Sequence, residues 1–235
     1  MIAVILKRTK QLIQCATPAA ALIIAAAAVA SSWACSSAGA GAESAKARAS
    51  AAQSLTRQPI STTPQIKQAV DSALDQIGQT FEYDPSYEKI GYPNGDVPVA
   101  RGVCADVVVR AFRRAGVDLQ KEIHEDMLLH FSAYPKKWGA TKPDPNIDHR
   151  RVANLMTFFE RKGKNVPITN APSDYEPGDV VAWQLDSQLL HIGIVTDARE
   201  PGMRNYLIVH NIGAGARIED VLMSWKIIGH YRMWK

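Results

Sequence analysis

The sequence predicts an α+β domain in which helices come first along the chain and pack on an antiparallel sheet. Residues before about 163 place apolar side chains at helical spacing, whereas residues after 178 form β-rich runs bounded by Gly, Pro, Asp and Asn. Helices followed by a run of strands are typical of α+β folds. With 46% hydrophobic and 21% charged residues, the 235-residue chain has a globular composition, which excludes a wholly disordered protein.

The first 40 residues have the pattern of a secretory signal peptide. Three basic residues near the start are followed by an apolar run, 19–30, and then by small residues. Ser32 to Ala34 offer a cleavage site, and Ala28 to Ala30 or Ala38 to Ala40 could also serve. We expect a signal peptide at 1–34 and export to the periplasm or cell envelope. An uncleaved anchor is the alternative, but the run is rich in Ala and Ser, and a spanning helix needs about 20 strongly apolar residues.

Cys35 allows a lipoprotein-type signal, in which lipid is attached to a cysteine that follows small residues. Ala34 fits this pattern, although the Leu-like residue usually found three positions upstream of the cysteine is absent. Membrane contact is therefore expected only through the leader or a lipid anchor. Residues 35–62 are rich in Ala and Ser without apolar periodicity, which predicts a flexible linker before a folded domain at 63–235.

Four segments of the domain are predicted as helices. Residues 105–115 follow Cys104 directly, and although Val107 to Val109 alone would favour a strand, the apolar face and Gly116 favour a helix. Asp148 is expected to cap the fourth helix. The predicted helices are 66–77, 105–115, 121–131 and 149–162, with loops at 80–98 and 134–146 between them.

The last part of the domain is predicted as a sheet. Its four β-rich runs are 179–184, 189–196, 206–212 and 227–234. The second and third runs are separated by a loop at 197–205, so we expect them to pair as an antiparallel hairpin. If Leu190, Ile192 and Ile194 face one side, His191 faces the other with Gly193 and Val195.

Removing the leader makes the charge and cysteine counts informative. Without its three basic residues, the net charge falls from +4 to +1, which argues against a nucleic-acid partner. The folded domain then contains one cysteine, Cys104, which has no partner for a disulfide within the domain. Cys104 is therefore either a buried small residue or a functional thiol.

Cys104 and two histidines suggest nucleophilic chemistry. A thiol at a helix N-terminus meets unpaired backbone N–H groups and the positive end of the helix dipole, so we expect its pKa to be lowered. His191 on the neighbouring strand could act as its base, and the next strand offers His210 or Asn211 to orient that base. A nucleophile, a base and an orienting group are the parts of a cysteine hydrolase site.

The motifs around these residues resemble known families. Cys104 at the start of a helix, Gly178 to Val181 and His191 to Val195 are similar to the NlpC/P60 group of papain-like cysteine peptidases. The wider pattern resembles the bacterial DUF1287 proteins, which form a narrower family. Seven stretches carry this resemblance: Tyr92 to Pro98, Gly102 to Arg113, Val117 to Gln120, His124 to Met127, Pro143 to Asn154, Pro177 to Asp179, and His191 to Val195.

The resemblance implies a papain-like NlpC/P60 fold and a Cys104–His191 dyad with His210 as the third residue. It also implies an exported cysteine hydrolase that cleaves amide bonds in peptidoglycan stem peptides by acyl transfer, with no cofactor or resident metal. Two departures concern the substrate groove: an insertion-like stretch at 119–150, and Ala105-Asp106 where many relatives have Ser-Gly. Peptidoglycan, or another peptide-containing wall polymer, is the expected partner.

Four further residues are candidates for binding substrate. Asp106 could hold Arg110 one turn along the helix or contact substrate. His149 and Arg150 could recognise a carboxylate through a bidentate arginine, or could belong to a capped helix with a solvated basic face. Tyr92, with other tyrosines of the 80–98 loop, could line a groove or cover the core.

Two other functions remain open at the level of sequence. A non-catalytic wall-binding module could use the same fold, since a fold does not fix a function. A zinc-dependent hydrolase could use Cys104, His191 and His210 as ligands. A second cluster, at 124–130, lacks the spacing of a strong metal-binding motif, so no metal site is predicted there.

Overall fold

A five-stranded antiparallel sheet with helices against one face forms the centre of the structure, a computed structural model that describes residues 55–57 and 63–234. The helices are α1 (Pro64–Asp75), α2 (Cys104–Arg114), α3 (Leu119–His130) and α4 (Val152–Arg161). The strands are β1 (Thr56–Arg57), β2 (Glu82–Tyr83), β3 (Arg101–Gly102), β4 (Val180–Gln184), β5 (Leu190–Val195), β6 (Ala198–Arg199), β7 (Ile208–Asn211), β8 (Ala216–Glu219) and β9 (Lys226–Tyr231). The predicted α+β class is confirmed.

The main sheet has the strand order β8-β7-β5-β4-β9, and its neighbours are all antiparallel. The predicted hairpin is present, because Ile194 pairs with Val209 and Val195 pairs with Ile208. Two small sheets join β1 to β6 and β2 to β3. The second of these ends two residues before Cys104, so it fixes the entry into α2.

Helix α2 lies against β5 and is buried along most of its length. Its residues from Cys104 to Phe112 are all buried. Ile192 and Ile194 belong to the core between the helices and the sheet, whereas Val195 packs with Tyr175 and Trp183 on the opposite face. The predicted alternation along β5 is therefore confirmed, and burial of an apolar face on each side holds this strand at the centre of the fold.

Helix α4 begins three residues later than predicted, because Asp148 does not cap it. The Asp148 carboxylate instead accepts a hydrogen bond from the Asp144 N–H at 2.5 Å. Residues 148–150 form a single 3₁₀ turn, and α4 starts at Val152. Part of the cluster predicted as a solvated helix face is therefore buried before the helix begins.

The segment predicted as a linker contributes a strand to the domain. Thr56 and Arg57 pair with β6, and the Arg57 guanidinium makes ion pairs of 2.7 Å with Asp71 and Asp197. Strand β8 is also absent from the prediction, since its four residues follow two glycines, Gly213 and Gly215, and show little apolar alternation. Alternation is the signal by which a half-buried strand is found in sequence.

Candidate active site

Cys104 is the first residue of α2, and its thiol lies against β5. The side chain is 4% exposed. Backbone N–H groups of Cys104, Ala105 and Ile192 interact with the sulfur, and each favours the thiolate. The predicted position at a helix N-terminus is confirmed, and the thiol meets β5 at the peptide next to His191.

Burial nevertheless favours the protonated thiol. It raises the pKa of Cys104 to about 12, and the nearby Asp106 carboxylate acts in the same direction. The prediction that the helix terminus lowers this pKa is therefore wrong for the free protein. The reason is that removing a thiolate from water costs more than these N–H groups offset.

His191 and His210 form a hydrogen-bonded pair that ends on a carboxylate. His191 Nε2 lies 2.8 Å from His210 Nδ1, and His210 Nε2 lies 2.9 Å from Glu219 Oε2. His210 is fully buried, whereas the Glu219 side chain is 38% exposed. The three side chains come from β5, β7 and β8, which lie side by side in the sheet.

The carboxylate fixes the tautomers of both rings. An ionised Glu219 can only accept, so His210 Nε2 carries the proton and donates it. With both rings neutral, His210 Nδ1 must then accept from His191 Nε2–H. His191 Nδ1 is left as an unprotonated nitrogen, and no hydrogen bond within the described part of the chain engages it. This nitrogen has the lone pair that a general base requires.

Aromatic side chains surround the histidine pair and exclude water. Trp183 stacks on His191 with ring centroids 5.8 Å apart, and Trp225 presents its edge to His191 at 5.8 Å. Burial lowers the pKa of His191 to about 3, and the nearby His210 makes a smaller contribution in the same direction. Burial also lowers the pKa of His210, against the opposing effect of Glu219. Both rings are therefore neutral near pH 7, as a base must be.

The thiol and the His191 ring reach β5 on different sides of its backbone. The ring packs with Trp183, while Ile192 faces the helices. No hydrogen bond between the sulfur and the ring is present among the described residues. Catalytic hydrogen bonds are often long in the free state and tighten when substrate binds.

Gly193 allows His210 to lie against β5. A Cβ atom at position 193 would lie 2.7 Å from Ile208 Cγ2 and 3.2 Å from His210 Cβ. Of the two orienting residues that the sequence offered, His210 contacts His191. Asn211 instead donates from Nδ2 to the Gly102 carbonyl at 2.9 Å. Asn211 thereby ties β7 to the segment that leads into Cys104.

The thiol opens into a cavity of about 250 Å³. Cys104 lines it together with Leu190, the residue before His191. The remaining described residues that line it are Tyr83, Pro85, Val103, Lys137, Trp138, Ile147, Arg150, Arg151, Val152, Ala153, Gln188 and Leu189. A substrate group in this cavity could reach both the Cys104 sulfur and Leu190, the first residue of β5.

Asp106 and Arg150 bind each other, and Arg110 binds elsewhere. Arg150 donates from Nε and Nη2 to the Asp106 carboxylate at 2.9 and 3.0 Å, and both side chains are buried. Asp106 also accepts from the Val103 N–H at 2.7 Å, which caps α2. Arg110 pairs with Asp96 at 3.0 Å, so the expected pair between Asp106 and Arg110 is not formed.

The other two candidates for substrate binding lie apart from the thiol. His149 is 3% exposed and does not line the cavity, and burial lowers its pKa to about 4. Tyr92 is 45% exposed and packs edge-on against His124 at 5.2 Å. Tyr83, which belongs to β2 and falls in the same predicted loop as Tyr92, lines the cavity instead.

The histidine and cysteine side chains do not fit a zinc site. Within residues 55–57 and 63–234, no group of three or more His, Cys, Asp or Glu side chains is arranged to hold a metal ion. A zinc ion bound by Cys104, His191 and His210 would compete with bonds that already engage His191 Nε2 and both nitrogens of His210. We therefore derive no chemistry from such an ion.

Several residues around the thiol and the histidine pair are not predicted from the sequence. Glu219 lies on a strand that was not predicted, and Trp225 follows in the loop before β9. Trp138 and Arg151 line the cavity from loop positions. Only Trp138 has a signal in the sequence. It is a large apolar residue in a loop rich in Lys and Pro, and an exposed apolar residue in such a loop can indicate a binding site.

The predictions about the leader, the cleavage site and lipidation at Cys35 lie outside the described residues. In the described part of the chain, no helix is both long and apolar enough to cross a membrane. The linker prediction can be compared only at residues 55–57, which form the strand β1 and the residue before it.

Comparisons with known proteins identify relatives of the chain. Residues 70–233 match the family described as "Domain of unknown function (DUF1287)". The uncharacterized protein YijF of Escherichia coli strain K12 is 56% identical over 164 residues, which cover 69% of this chain and 78% of that protein. No solved structure matches the chain.

Proposed function

We propose that this chain, which belongs to the DUF1287 family, is an exported cysteine hydrolase that cleaves amide bonds in cell-wall peptides. One observation carries the proposal. A thiol at a helix N-terminus lines a cavity, and the strand beside it holds a neutral histidine whose Nδ1 is kept free by the chain His191–His210–Glu219. This supplies a nucleophile on α2 and, on the strands beside it, a base with its orienting groups. The proposal requires the His191 ring and the Cys104 sulfur to approach each other when substrate binds.

The reaction would be an acyl transfer through a thioester. The sulfur of Cys104 forms a bond to the amide carbonyl carbon while its proton passes to His191 Nδ1. The carbon–nitrogen bond then breaks, and the leaving nitrogen takes that proton. Water, deprotonated by His191, attacks the thioester, and the proton returns to the departing sulfur. The products are a carboxylic acid, an amine and the free thiol.

Backbone groups at the start of α2 would stabilise the oxyanion. The N–H groups of Cys104 and Ala105 interact with the sulfur in the free protein, and in the proposed mechanism they turn to the carbonyl oxygen as negative charge develops there. Removing one such donor typically reduces turnover by about 10² to 10³. Because these groups belong to the backbone, their position depends on how firmly α2 is anchored.

The resting pair would be a neutral thiol and a neutral imidazole. The pKa of Cys104 lies near 12 and that of His191 near 3, so proton transfer is unfavourable before substrate arrives. We therefore propose that transfer accompanies attack on the carbonyl, when the developing oxyanion is stabilised. A closed active site of this kind would protect the thiol from oxidation between turnovers.

Two finer parts of the proposal follow the resemblance in sequence. We propose a papain-like architecture of the NlpC/P60 type, supported by the order of the cysteine-bearing helix and two histidine-bearing strands. We propose peptidoglycan stem peptides as substrate and the cell envelope as location, supported by the signal-peptide pattern at 1–34. No nucleic-acid partner or cofactor is part of the proposal.

Purified peptidoglycan incubated with the protein tests this function. Mass analysis should show soluble fragments that carry one added water per cleaved amide bond. The Cys104→Ser and His191→Ala variants should release none, while an exposed control variant, Lys226→Gln, should match the wild type. Equal release by wild type and Cys104→Ser would refute a thiol mechanism.

A non-catalytic wall-binding module is the second candidate. The absence of a thiol–imidazole hydrogen bond within the described residues, together with the raised pKa of Cys104, favours it. A binding module would sediment with peptidoglycan equally well as wild type and as Cys104→Ala, and neither would release fragments. That result would replace the hydrolase proposal.

A further inference from the structure

The charged residues that line the thiol cavity all have the same sign. Among the described residues of its wall, Lys137, Arg150 and Arg151 are cationic, and none is acidic. A cavity with low-dielectric walls and charges of one sign concentrates a ligand of the opposite sign. The question is which of the three cations is available to a ligand.

Arg150 is already occupied by the protein. Besides its two bonds to Asp106, it donates to the carbonyls of Ser86 and Asp84 at 2.9 and 3.0 Å. A guanidinium has five N–H donors in a fixed fork, and these four bonds use most of them. Arg150 therefore holds the wall of the cavity together and has little capacity left for substrate.

Arg151 has no such partners. Its Nε is buried and has no hydrogen-bond acceptor in the described part of the chain. Its guanidinium stacks over the Trp138 ring, with 4.2 Å between the guanidinium carbon and the ring centroid. No carboxylate of the described residues forms an ion pair with it. Because Arg151 lines the cavity and its guanidinium has no hydrogen bond or ion pair in the described part of the chain, its donors are available to an acceptor on a ligand.

Two neighbouring features favour an anion at the same place. Lys137 lines the cavity next to Trp138, and it is exposed. Helix α4 begins at Val152, directly after Arg151, and has no acidic residue in its first turn. The positive end of the α4 dipole therefore adds to the field of the two cations.

We propose that Arg151, supported by Lys137, binds a carboxylate of the substrate beside the bond that Cys104 attacks. The inference rests on the proposed hydrolase, because it assigns a substrate class to the same site. Carboxylates are the anions that peptides carry, and the planar fork of Arg151 matches a carboxylate in two parallel hydrogen bonds. The preferred substrate is thus an acidic peptide, and its amide counterpart is a poor one.

Two alkylating reagents test the carboxylate site without any substrate turnover. Iodoacetate and iodoacetamide react with sulfur by the same displacement, which forms a carbon–sulfur bond and releases iodide and the thiol proton; the first adds a carboxymethyl group and the second a carbamidomethyl group. They differ in that the first carries a carboxylate. The full-length protein is treated with each, and modification of Cys104 is followed by mass spectrometry of its peptide. The readout is the ratio of the two rate constants, since the ratio cancels differences in folding and access to the thiol.

For the folded wild type, we expect the rate constant for iodoacetate divided by that for iodoacetamide to be higher than the same ratio for Cys104 in the urea-unfolded chain. Arg151→Gln should lower the ratio about fivefold, as expected for loss of one partly screened charge across a cavity. Arg151→Lys should keep part of the preference for iodoacetate, and Lys137→Gln should lower the ratio by a smaller factor than Arg151→Gln does. The matched control Lys226→Gln, an exposed cation outside the cavity wall, should leave it unchanged.

The proposal is overturned if Arg151→Gln and Lys137→Gln both keep the wild-type ratio within a factor of about two, since one screened charge should exceed that. The outcome is independent of the proposed function. A charge-dependent ratio in a protein that releases no wall fragments would keep the carboxylate site and reject the hydrolase. Release of wall fragments together with a ratio that the variants leave unchanged would keep the hydrolase and reject the carboxylate site.

Discussion

The chemistry of Cys104 and His191 depends on the side chains that stand behind them. Glu219 is the outermost of these, and in the proposed mechanism it sets the tautomers of the two rings and does not touch substrate. An ionised carboxylate can only accept a hydrogen bond, so the direction of donation along the chain is fixed. Glu219 is therefore a positioning residue.

Glu219→Gln is expected to weaken the base. A glutamine amide can donate to His210 Nε2, which would reverse both tautomers and place a proton on His191 Nδ1. We expect the rate of Cys104 alkylation by iodoacetamide at pH 7 to fall at least about tenfold, the lower end of what general-base assistance contributes. Glu219→Asp should restore part of the rate. Glu176→Gln, which removes an exposed carboxylate, is the control and should react at the wild-type rate. If Glu219→Gln also reacts at the wild-type rate, the carboxylate does not control the base.

Gly193 shows how a single backbone position makes room for the histidine pair. Gly193→Ala would place a Cβ 2.7 Å from Ile208 Cγ2 and 3.0 Å from the Val209 carbonyl oxygen. We expect a loss of about 1–3 kcal/mol in the free energy of unfolding, as for other overpacked cores. Urea denaturation measures this change. Gly91→Ala is the control, because the nearest atom to its added Cβ is 4.0 Å away; equal stability of the two variants would contradict the account of β5.

At the scale of elements, the N-terminus of α2 is anchored by the Arg150–Asp106 pair. Both side chains are almost fully buried, at 2% and 3% exposure, and Asp106 also caps the helix. The pair connects the cysteine-bearing helix to the turn before α4 and to the loop after β2. The N–H groups that would form the oxyanion hole lie within this anchored turn.

Arg150→Met should be strongly destabilising. It leaves the Asp106 carboxylate buried without its partner, and the expected cost is about 3–5 kcal/mol in the free energy of unfolding. Arg101→Met is a matched control, since Arg101 forms ion pairs with Asp84 and Glu88 but is 34% exposed, and such pairs contribute about 1 kcal/mol or less. Denaturant midpoints of the two variants measure the two losses of stability. Similar losses in Arg150→Met and Arg101→Met would show that the Arg150–Asp106 pair does not anchor α2.

The element scale also shows what could be predicted from sequence. Apolar periodicity places α2 and β5 correctly, because both bury a regular face, and the position of Cys104 and the direction of His191 follow from them. Asp106 and Arg150 are separated by 44 positions, and their pairing depends on tertiary packing that periodicity does not encode. Glu219 was missed for a different reason: its strand is short and lies at the edge of the sheet.

The pKa of Cys104 marks the limit of local reasoning. A helix N-terminus lowers the pKa of an exposed thiol, and the sequence predicts the helix correctly. Whether the thiol is exposed depends on the whole fold, and here burial reverses the net direction. Residue and element together therefore fix the location of the Cys104 thiol, while the complete molecule fixes its protonation.

At the scale of the whole molecule, buried neutral histidines make stability depend on pH. The folded-state pKa of His149 is lowered to about 4 and that of His191 to about 3, both chiefly by burial. The unfolded chain takes up protons at these residues below about pH 6.5, before the folded chain does. Stability contributed by the neutral rings is therefore present above pH 6.5 and is lost as the pH falls toward 4.

His149→Gln should flatten this dependence. We expect the wild type to lose up to ~3 kcal/mol per buried histidine between about pH 6.5 and 4, since one pKa unit corresponds to about 1.4 kcal/mol. The variant should lose less over the same interval, while His130→Gln, which changes an exposed ring, should follow the wild type. Urea midpoints measured at several pH values give the slopes. A steeper loss in His149→Gln would reverse the assigned sign.

In the proposed mechanism His191 receives the proton of Cys104, and the pH dependence of Cys104 alkylation tests this most directly. If the two groups exchange a proton, the fraction of reactive ion pair is constant between the low pKa of His191 and the high pKa of Cys104. The iodoacetamide rate of the wild type should then be nearly flat from about pH 5 to 8. In His191→Ala, the rate should rise about tenfold per pH unit, since only direct ionisation of the thiol remains. A tenfold rise per pH unit in the wild type as well would contradict the account.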